Sequence, residues 1–352
     1  MSSTTKGLAL VTGANGFIGA RTVEAFLLAG YSVRAAVRSQ SSAAELTSAL
    51  PSYAADGRLS VAIVPNITVP GAFADAVKDA AVIAHLASPV DFANRDAEQV
   101  LGAAVDGTQS ILGSAAGEPG LKSFVFMSSI VAIRGYAPRP EGHVATEADW
   151  NEDAEAALEQ AGEDANAFQV YQASKVKAER AFWEFRYKSQ GRVGFSMTAV
   201  NPVWVVGPPL ILPKDPNRLS DTAIVPYRVM SGEELPLMGP GNGSHVDVRD
   251  VARLIVFAAE RPDVADGQRY IAGGSTNYAT VQAYYDVLRK AYPGRRDIIQ
   301  EGEPGKGYME DYSTPPDGRK VDGTKAVKAT GQGWIPFEKM VLDAAKSYEI
   351  YF

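Results

Sequence analysis

Tyr171 and Lys175, within "YQASK", stand four residues apart, a spacing that on a helix sets both side chains on one face. A free tyrosine titrates at about 10, so a nearby ammonium that favours the phenolate makes the phenol a better acid or base at neutral pH. Proton transfer is the chemistry such a pair suits, with Tyr171 protonating a developing alkoxide and a serine hydroxyl completing the hydrogen bonding to the reacting oxygen. Ser128 and Ser129 close the apolar run "SFVFMSSI" and are the candidates for that hydroxyl. A tyrosine and a lysine at this spacing also occur in ordinary amphipathic helices, so the pair takes its meaning from its surroundings.

The first of these is "TGANGFIG", which puts Gly13, Gly16 and Gly19 between an apolar run and a helical segment. Gly13 permits a sharp turn, Gly16 lets main-chain N–H groups approach a pyrophosphate, and Gly19 lets the helix pack closely on the strand. With Asn15, Phe17 and Ile18 in the same turn, this is the expected dinucleotide site. The end of the second strand decides which dinucleotide binds. A carboxylate there takes the ribose hydroxyls of NAD, and an arginine accommodates the 2′-phosphate of NADP. The segment "VRAAVRSQ" supplies Arg38 and no acid, with Ser39 as a further donor, so NADPH is the expected cofactor. Arg34 reads better as a surface charge. Asn66 and Ile67, at the end of the third strand, are expected at the adenine.

These residues need an alternating scaffold. Gly7–Val11, "YSVRAAVR", "LSVAIVPNI", "AVIAHLAS" and "SFVFMSSI" read as strands, separated mostly by helical segments such as "ARTVEAFLLAG" and "QVLGAAVDGTQSILGSAA". Strand alternating with helix predicts an α/β fold with a Rossmann-type doubly wound parallel sheet, whose carboxyl edge binds ligands. Beyond about residue 200, "NPVWVVGPPLILPKDPNR" is rich in Pro and Gly, and a smaller C-terminal lobe is expected. The division expected is a nucleotide-binding domain over 1–203, with 244–272 added to it, and a mainly substrate-binding lobe over 204–352. The acidic stretch before the tyrosine reads as a solvated helix or loop.

Composition narrows the function. The net charge is −7, and no basic run offers a footprint for nucleic acid. The chain has no cysteine, which removes disulfides, thiolate nucleophiles and cysteine-based zinc sites. Its histidines, His85, His143 and His245, show no ligand spacing, so no metal is expected. No apolar run approaches the roughly 18 residues of a membrane span, and the start lacks a targeting pattern, so the expected compartment is the cytoplasm.

Together, "TGANGFIG", a strand ending "MSS", "YxxxK", "NPVWVVGP" and "HVDVRDVA" resemble the extended short-chain dehydrogenase/reductases over most of the chain. "HLASPV", "ADW" and the arginine-ended second strand are similar to the dihydroflavonol-reductase-like branch, particularly the fungal NADPH-dependent methylglyoxal, isovaleraldehyde and ketone reductases. The resemblance implies hydride delivery from NADPH to a small aldehyde or ketone, by a monomer or homodimer. It implies Ser129, Tyr171 and Lys175 as the catalytic residues, with Ser128 beside the cofactor and Lys175 on the nicotinamide ribose. It further implies that Ala87, Ser88 and Pro89 line the cofactor, that Pro202, Val203 and Val205 contact its nicotinamide end, and that Phe92 and Trp204 face the substrate. Two positions depart from the pattern: Ala104 stands where many relatives carry an asparagine of a water-borne proton relay, and Asn66 where an acidic residue is common. An NAD-dependent sugar-nucleotide epimerase or dehydratase shares the fold and the YxxxK pair, but Arg38 argues against it. A non-catalytic NADPH sensor would be expected to have lost Tyr171 or Lys175.

Overall fold

The structure is a computed structural model in which residues 5–88, 96–135, 140, 142–189, 192–236, 242–313 and 320–352 are described. The continuous apolar run Leu8–Thr12 forms β1, buried on both faces as the centre of a parallel sheet must be. The glycine turn leads into α1, Phe17–Leu28, which buries Val23, Phe26 and Leu27. Gly30, at φ +93°, then turns the chain into β2, Ser32–Val37. There follow α2 (Gln40–Ala49), β3 (Leu59–Ile63), β4 (Ala80–His85), α3 (Ala97–Ala116) and β5 (Ser123–Met127). After them come α4 (Asp153–Ala161), α5 (Ala167–Lys188), β6 (Ser196–Pro202) and β7 (Arg269–Ala272).

These strands make one seven-stranded sheet in the order β7-β6-β5-β4-β1-β2-β3. β1 pairs in parallel with β2 on one side and β4 on the other, and β4 with β5 and β5 with β6 continue in parallel. The chain therefore runs outward from β1 to β3 and then returns to the far side of β1, so the switch point of the sheet lies between the carboxyl ends of β1 and β4. The doubly wound parallel sheet expected from the alternation is the one observed.

The chain divides into two compact units, one of residues 1–138, 147–201 and 255–270, the other of 139–146, 202–254 and 271–352. In the first, an apolar cluster of Leu10, Ile83, Ile111, Phe124, Phe126 and Phe182 fills the space between the sheet and the helices. Phe182 of α5 stacks on Phe126 of β5, their centroids 4.9 Å apart at 16°, and this contact seats α5 on the sheet. The acidic stretch read as solvated contains α4, whose Ala154 and Leu158 are buried, so only its outer face meets water. In the second unit, Trp204–Val206 lies parallel to Gly243–Asp247, and Tyr278–Ala279 pairs antiparallel on its other side. Val144–Ala145 pairs in parallel with Lys320–Val321. Tyr284, Phe337, Met340 and Val341, from the helices Val281–Ala291 and Phe337–Tyr348, build the core of this unit.

Phe182 is fully buried. Phe182→Ala is expected to cost about 3–5 kcal/mol, read as a lower denaturant midpoint at unchanged slope.

Candidate active site

The glycine turn is shaped by what a side chain would strike. Gly13 sits at φ +64°, and a Cβ there would lie 3.0 Å from the backbone N of Ala87. A Cβ on Gly19 would lie 2.0 Å from the carbonyl oxygen of Gly13, so only glycine lets α1 start this close to the turn. Helix α1 is capped by the backbone of Gly16 with no side-chain acceptor, and its first turn has no acid. The amides of Phe17, Ile18 and Gly19 have no carbonyl one turn back, and the helix dipole makes this end attractive to an anion. A cradle that a Cβ would fill, at a helix start free of competing carboxylates, fits a dinucleotide pyrophosphate.

Behind the turn, the hydroxyl of Thr12 accepts the N–H groups of Leu86 and Ala87, both at 3.0 Å. Its own proton is then left for Nδ1 of His85, 2.8 Å away, which assigns His85 as a neutral imidazole carrying its proton on Nε2. Burial pushes His85 down to about 3, helped by the nearby charge of Lys175. His85 stacks on Phe126 and lies edge-on to Phe73. It is a core residue that pins β4 to the end of β1 at the switch point.

Arg38 follows β2 directly and is exposed, making no hydrogen bond or ion pair with the described residues. Beside it, Ser39 caps α2 by accepting the N–H of Ser42 at 3.2 Å. Arg34, by contrast, is spent on the carbonyls of Ala76 and Lys78 at 2.8 and 2.6 Å, a structural role. Asn66 accepts the N–H and the hydroxyl of Thr68 at 3.0 and 2.8 Å. Ile67 packs against Gly107 of α3, where a Cβ would lie 3.0 Å from its Cδ1.

Asn166 starts α5 with a capping box. Its side chain accepts the N–H groups of Phe168 and Gln169, and the side chain of Gln169 accepts the N–H of Asn166, all at 3.0 Å. Tyr171 thus falls on the first full turn and Lys175 on the next. The Lys175 ammonium lies 5.9 Å from the centroid of the Tyr171 ring. Lys175 is 6% exposed, and burial lowers its pKa to about 8 against the raising effect of Glu179. A cavity at the carboxyl edge of the sheet is lined by Lys175, Met127, Ala104, Ile67, Ala87 and Ser88, among others. Ile67, expected at the adenine, Ala87 and Ser88, expected along the cofactor, and Lys175, expected at the nicotinamide ribose, therefore border one space.

Ser129 caps the short helical turn after β5, its Oγ accepting the N–H of Val131 at 3.3 Å, which leaves the hydroxyl proton for another acceptor. Ser128 faces the other way and donates to Glu179 at 2.5 Å. Glu179, with Asn201 and Arg269, belongs to a buried polar group that the motifs do not reveal, as does Thr12 behind the turn. The available signal for Glu179 was its place four residues past Lys175, one more step along the same helix face.

Pro202, Val203, Trp204 and Val205 fall in the second unit. Val203 donates its N–H to Ala272 at 3.0 Å, and the side chains of Val203 and Val205 are buried there. Trp204 is half-buried, and its indole N–H has no acceptor among the described residues. Pro89 and Phe92 lie outside the described residues.

Fold, glycine cradle and lysine-lined cavity define a dinucleotide-dependent enzyme, and the chain belongs to the NAD dependent epimerase/dehydratase family, whose model matches residues 9–273. An uncharacterised oxidoreductase of Schizosaccharomyces pombe is 33% identical over 342 residues, 96% of each chain. Aldehyde reductase 2 of Sporidiobolus salmonicolor is 30% identical over 347 residues, 97% of this chain and 95% of that protein. The yeast methylglyoxal/isovaleraldehyde reductase Gre2, solved with NADPH, has a TM-score of 0.83 and 28% identity over 98% of both chains. The resemblance to the fungal reductases read from the motifs holds.

His85 gives a pH prediction. Its folded pKa of about 3 lies below the unfolded value of 6.5, so the unfolded chain takes up a proton first. Its contribution is complete above 6.5 and is lost progressively as pH falls towards 3. His85→Asn, which can still accept from Thr12, is expected to flatten the loss of unfolding free energy between pH 6.5 and 5 measured by urea titration.

Proposed function

We propose that this chain is an NADPH-dependent reductase of small aldehydes or ketones. The observation that carries the reading is a cavity bordered by Lys175 and by Ile67, Ala87 and Ser88, at the carboxyl edge of a doubly wound sheet. Gly13, Asn15, Gly16, Phe17, Ile18 and Gly19 hold the pyrophosphate, Arg38 and Ser39 the 2′-phosphate, and Asn66 and Ile67 the adenine. Ala87 and Ser88 line the cofactor, with Ser128 beside it. Bound NADPH supplies the hydride that the carbonyl carbon receives.

The side chains of this chain manage the oxygen. The Ser129 hydroxyl, its lone pair already held by the Val131 N–H, donates to the carbonyl oxygen and orients it. Tyr171 donates a proton to the same oxygen as it becomes an alkoxide. Lys175, buried yet still mostly charged at neutral pH, stabilises the phenolate left on Tyr171 and binds the nicotinamide ribose.

The reading is tested by following NADPH and NADH absorbance with a panel of small aldehydes and ketones. NADPH consumption that Tyr171→Phe reduces by about 10²–10⁴-fold is expected, and absence of turnover with either cofactor sinks the proposal. Arg38→Ala is expected to weaken NADPH binding about 10- to 100-fold, the loss of a charge-assisted phosphate contact, while NADH binding stays within a few-fold, both read by fluorescence titration.

A further inference from the structure

Glu179 is fully buried on α5, one turn beyond Lys175, and both of its carboxylate oxygens are occupied. Oε2 accepts the Ser128 hydroxyl at 2.5 Å and the Asn201 amide at 2.7 Å. Oε1 accepts Nε of Arg269 at 2.6 Å and the indole N–H of Trp183 at 3.1 Å. Arg269 is itself built in. Its Nη1 donates to the carbonyls of Glu147 and Asp149 at 2.9 and 2.6 Å, and its guanidinium lies 4.0 Å from the centre of the Trp150 ring. Asn201 has a second task, donating to the carbonyl of Ser129 at 3.1 Å.

A buried charge with four donors is costly to build unless its position matters, because an apolar group of similar size usually serves stability as well. Here its position links two catalytic elements. Through Ser128 and Asn201 it holds the backbone on either side of the Ser128–Ser129 bond, and through α5 it is rigidly joined to Tyr171 and Lys175. We propose that Glu179 is a positioning residue for the reduction, tying the helix that carries Tyr171 and Lys175 to the strand end that carries Ser129. Glu179 makes no ion pair with Lys175 and acts on it through space from inside the protein, where water screens little. The other groups facing Lys175 do not supply a negative charge. Among the described residues, β4 brings His85, which is neutral, and the others lining the cavity beside Lys175, among them Ala104, Thr108, Phe126, Met127 and Ala178, carry no charge.

This inference rests on the reductase reading, and its test separates the two. The full-length protein is titrated by NMR at the Lys175 Nζ, assigned with Lys175→Arg, and kcat and KM for a reduced aldehyde are measured against pH. In Glu179→Gln the Nζ titration and the alkaline limb of kcat are both expected to move about one pH unit lower, with kcat down about 10- to 100-fold and KM changed little. Glu179→Asp, which keeps the charge but shortens the reach, is expected to restore the Nζ titration while kcat stays depressed. A Glu179→Gln protein that melts earlier but keeps the wild-type Nζ titration and kcat overturns the proposal, leaving a purely structural carboxylate. If Glu179→Gln does not fold, Ser128→Ala removes one tether and leaves the charge. It is expected to lower kcat several-fold at unchanged Nζ titration, and an unchanged kcat overturns the tether. A wild-type chain that reduces no carbonyl refutes the reductase, while an Nζ shift in its Glu179→Gln variant still supports the link from Glu179 to Lys175.

Discussion

One face of α5 sets the geometry of the whole site. Tyr171, Lys175, Glu179 and Phe182 fall at steps of four, four and three, so a single helix row carries the phenol, the ammonium, the buried carboxylate and the aromatic ring that docks the helix on β5. Rotating or sliding this helix would move all four together. Its position is over-determined: the Asn166 capping box sets where it starts, Phe182 against Phe126 sets its depth, and the Glu179 carboxylate sets its register against β5 and β6. A rigid element of this kind is what placement of a proton donor requires.

The other half of the site is built at the point where the sheet reverses direction. There Thr12, which pairs with His85 at the ends of β1 and β4, accepts two amides from beyond β4 and donates to His85, which closes the space behind the glycine turn. The turn can then approach Ala87 closely, which is why Gly13 tolerates no side chain. The two halves share an electrostatic logic. His85 is kept neutral by burial, Lys175 is kept mostly charged despite burial, and the buried Glu179 carboxylate is paired with Arg269.

The parts legible in the sequence are those written in local spacing. Gly13, Gly16 and Gly19 declare a turn because each answers a steric demand within a few residues, and Tyr171 with Lys175 declares a helix face. The parallel sheet followed from strand alternating with helix. What local pattern does not carry is partnership across distance. Arg269 reaches Glu179 over 90 positions and Asn201 over 22, and nothing near any of them marks the meeting. Likewise Val144–Ala145 belongs with the second unit because it pairs with Lys320–Val321, a match of two short strands with no turn between them to announce it. Arg34 shows the same limit in miniature: the sequence sets it apart from Arg38 as a surface charge, and only the structure shows its bonds to the carbonyls of Ala76 and Lys78.

Every role assigned to these side chains depends on hydride passing from NADPH to a carbonyl carbon in this site. Its most direct test is a single turnover with NADPH deuterated at the transferable position of the nicotinamide and a small aldehyde, followed by mass spectrometry of the products. The predicted result is an alcohol one mass unit heavier at its carbinol carbon, with the oxidised cofactor free of label, and both products forming about 10²–10⁴-fold more slowly in Tyr171→Phe. Label that returns to the cofactor, or an alcohol that carries none, would contradict it.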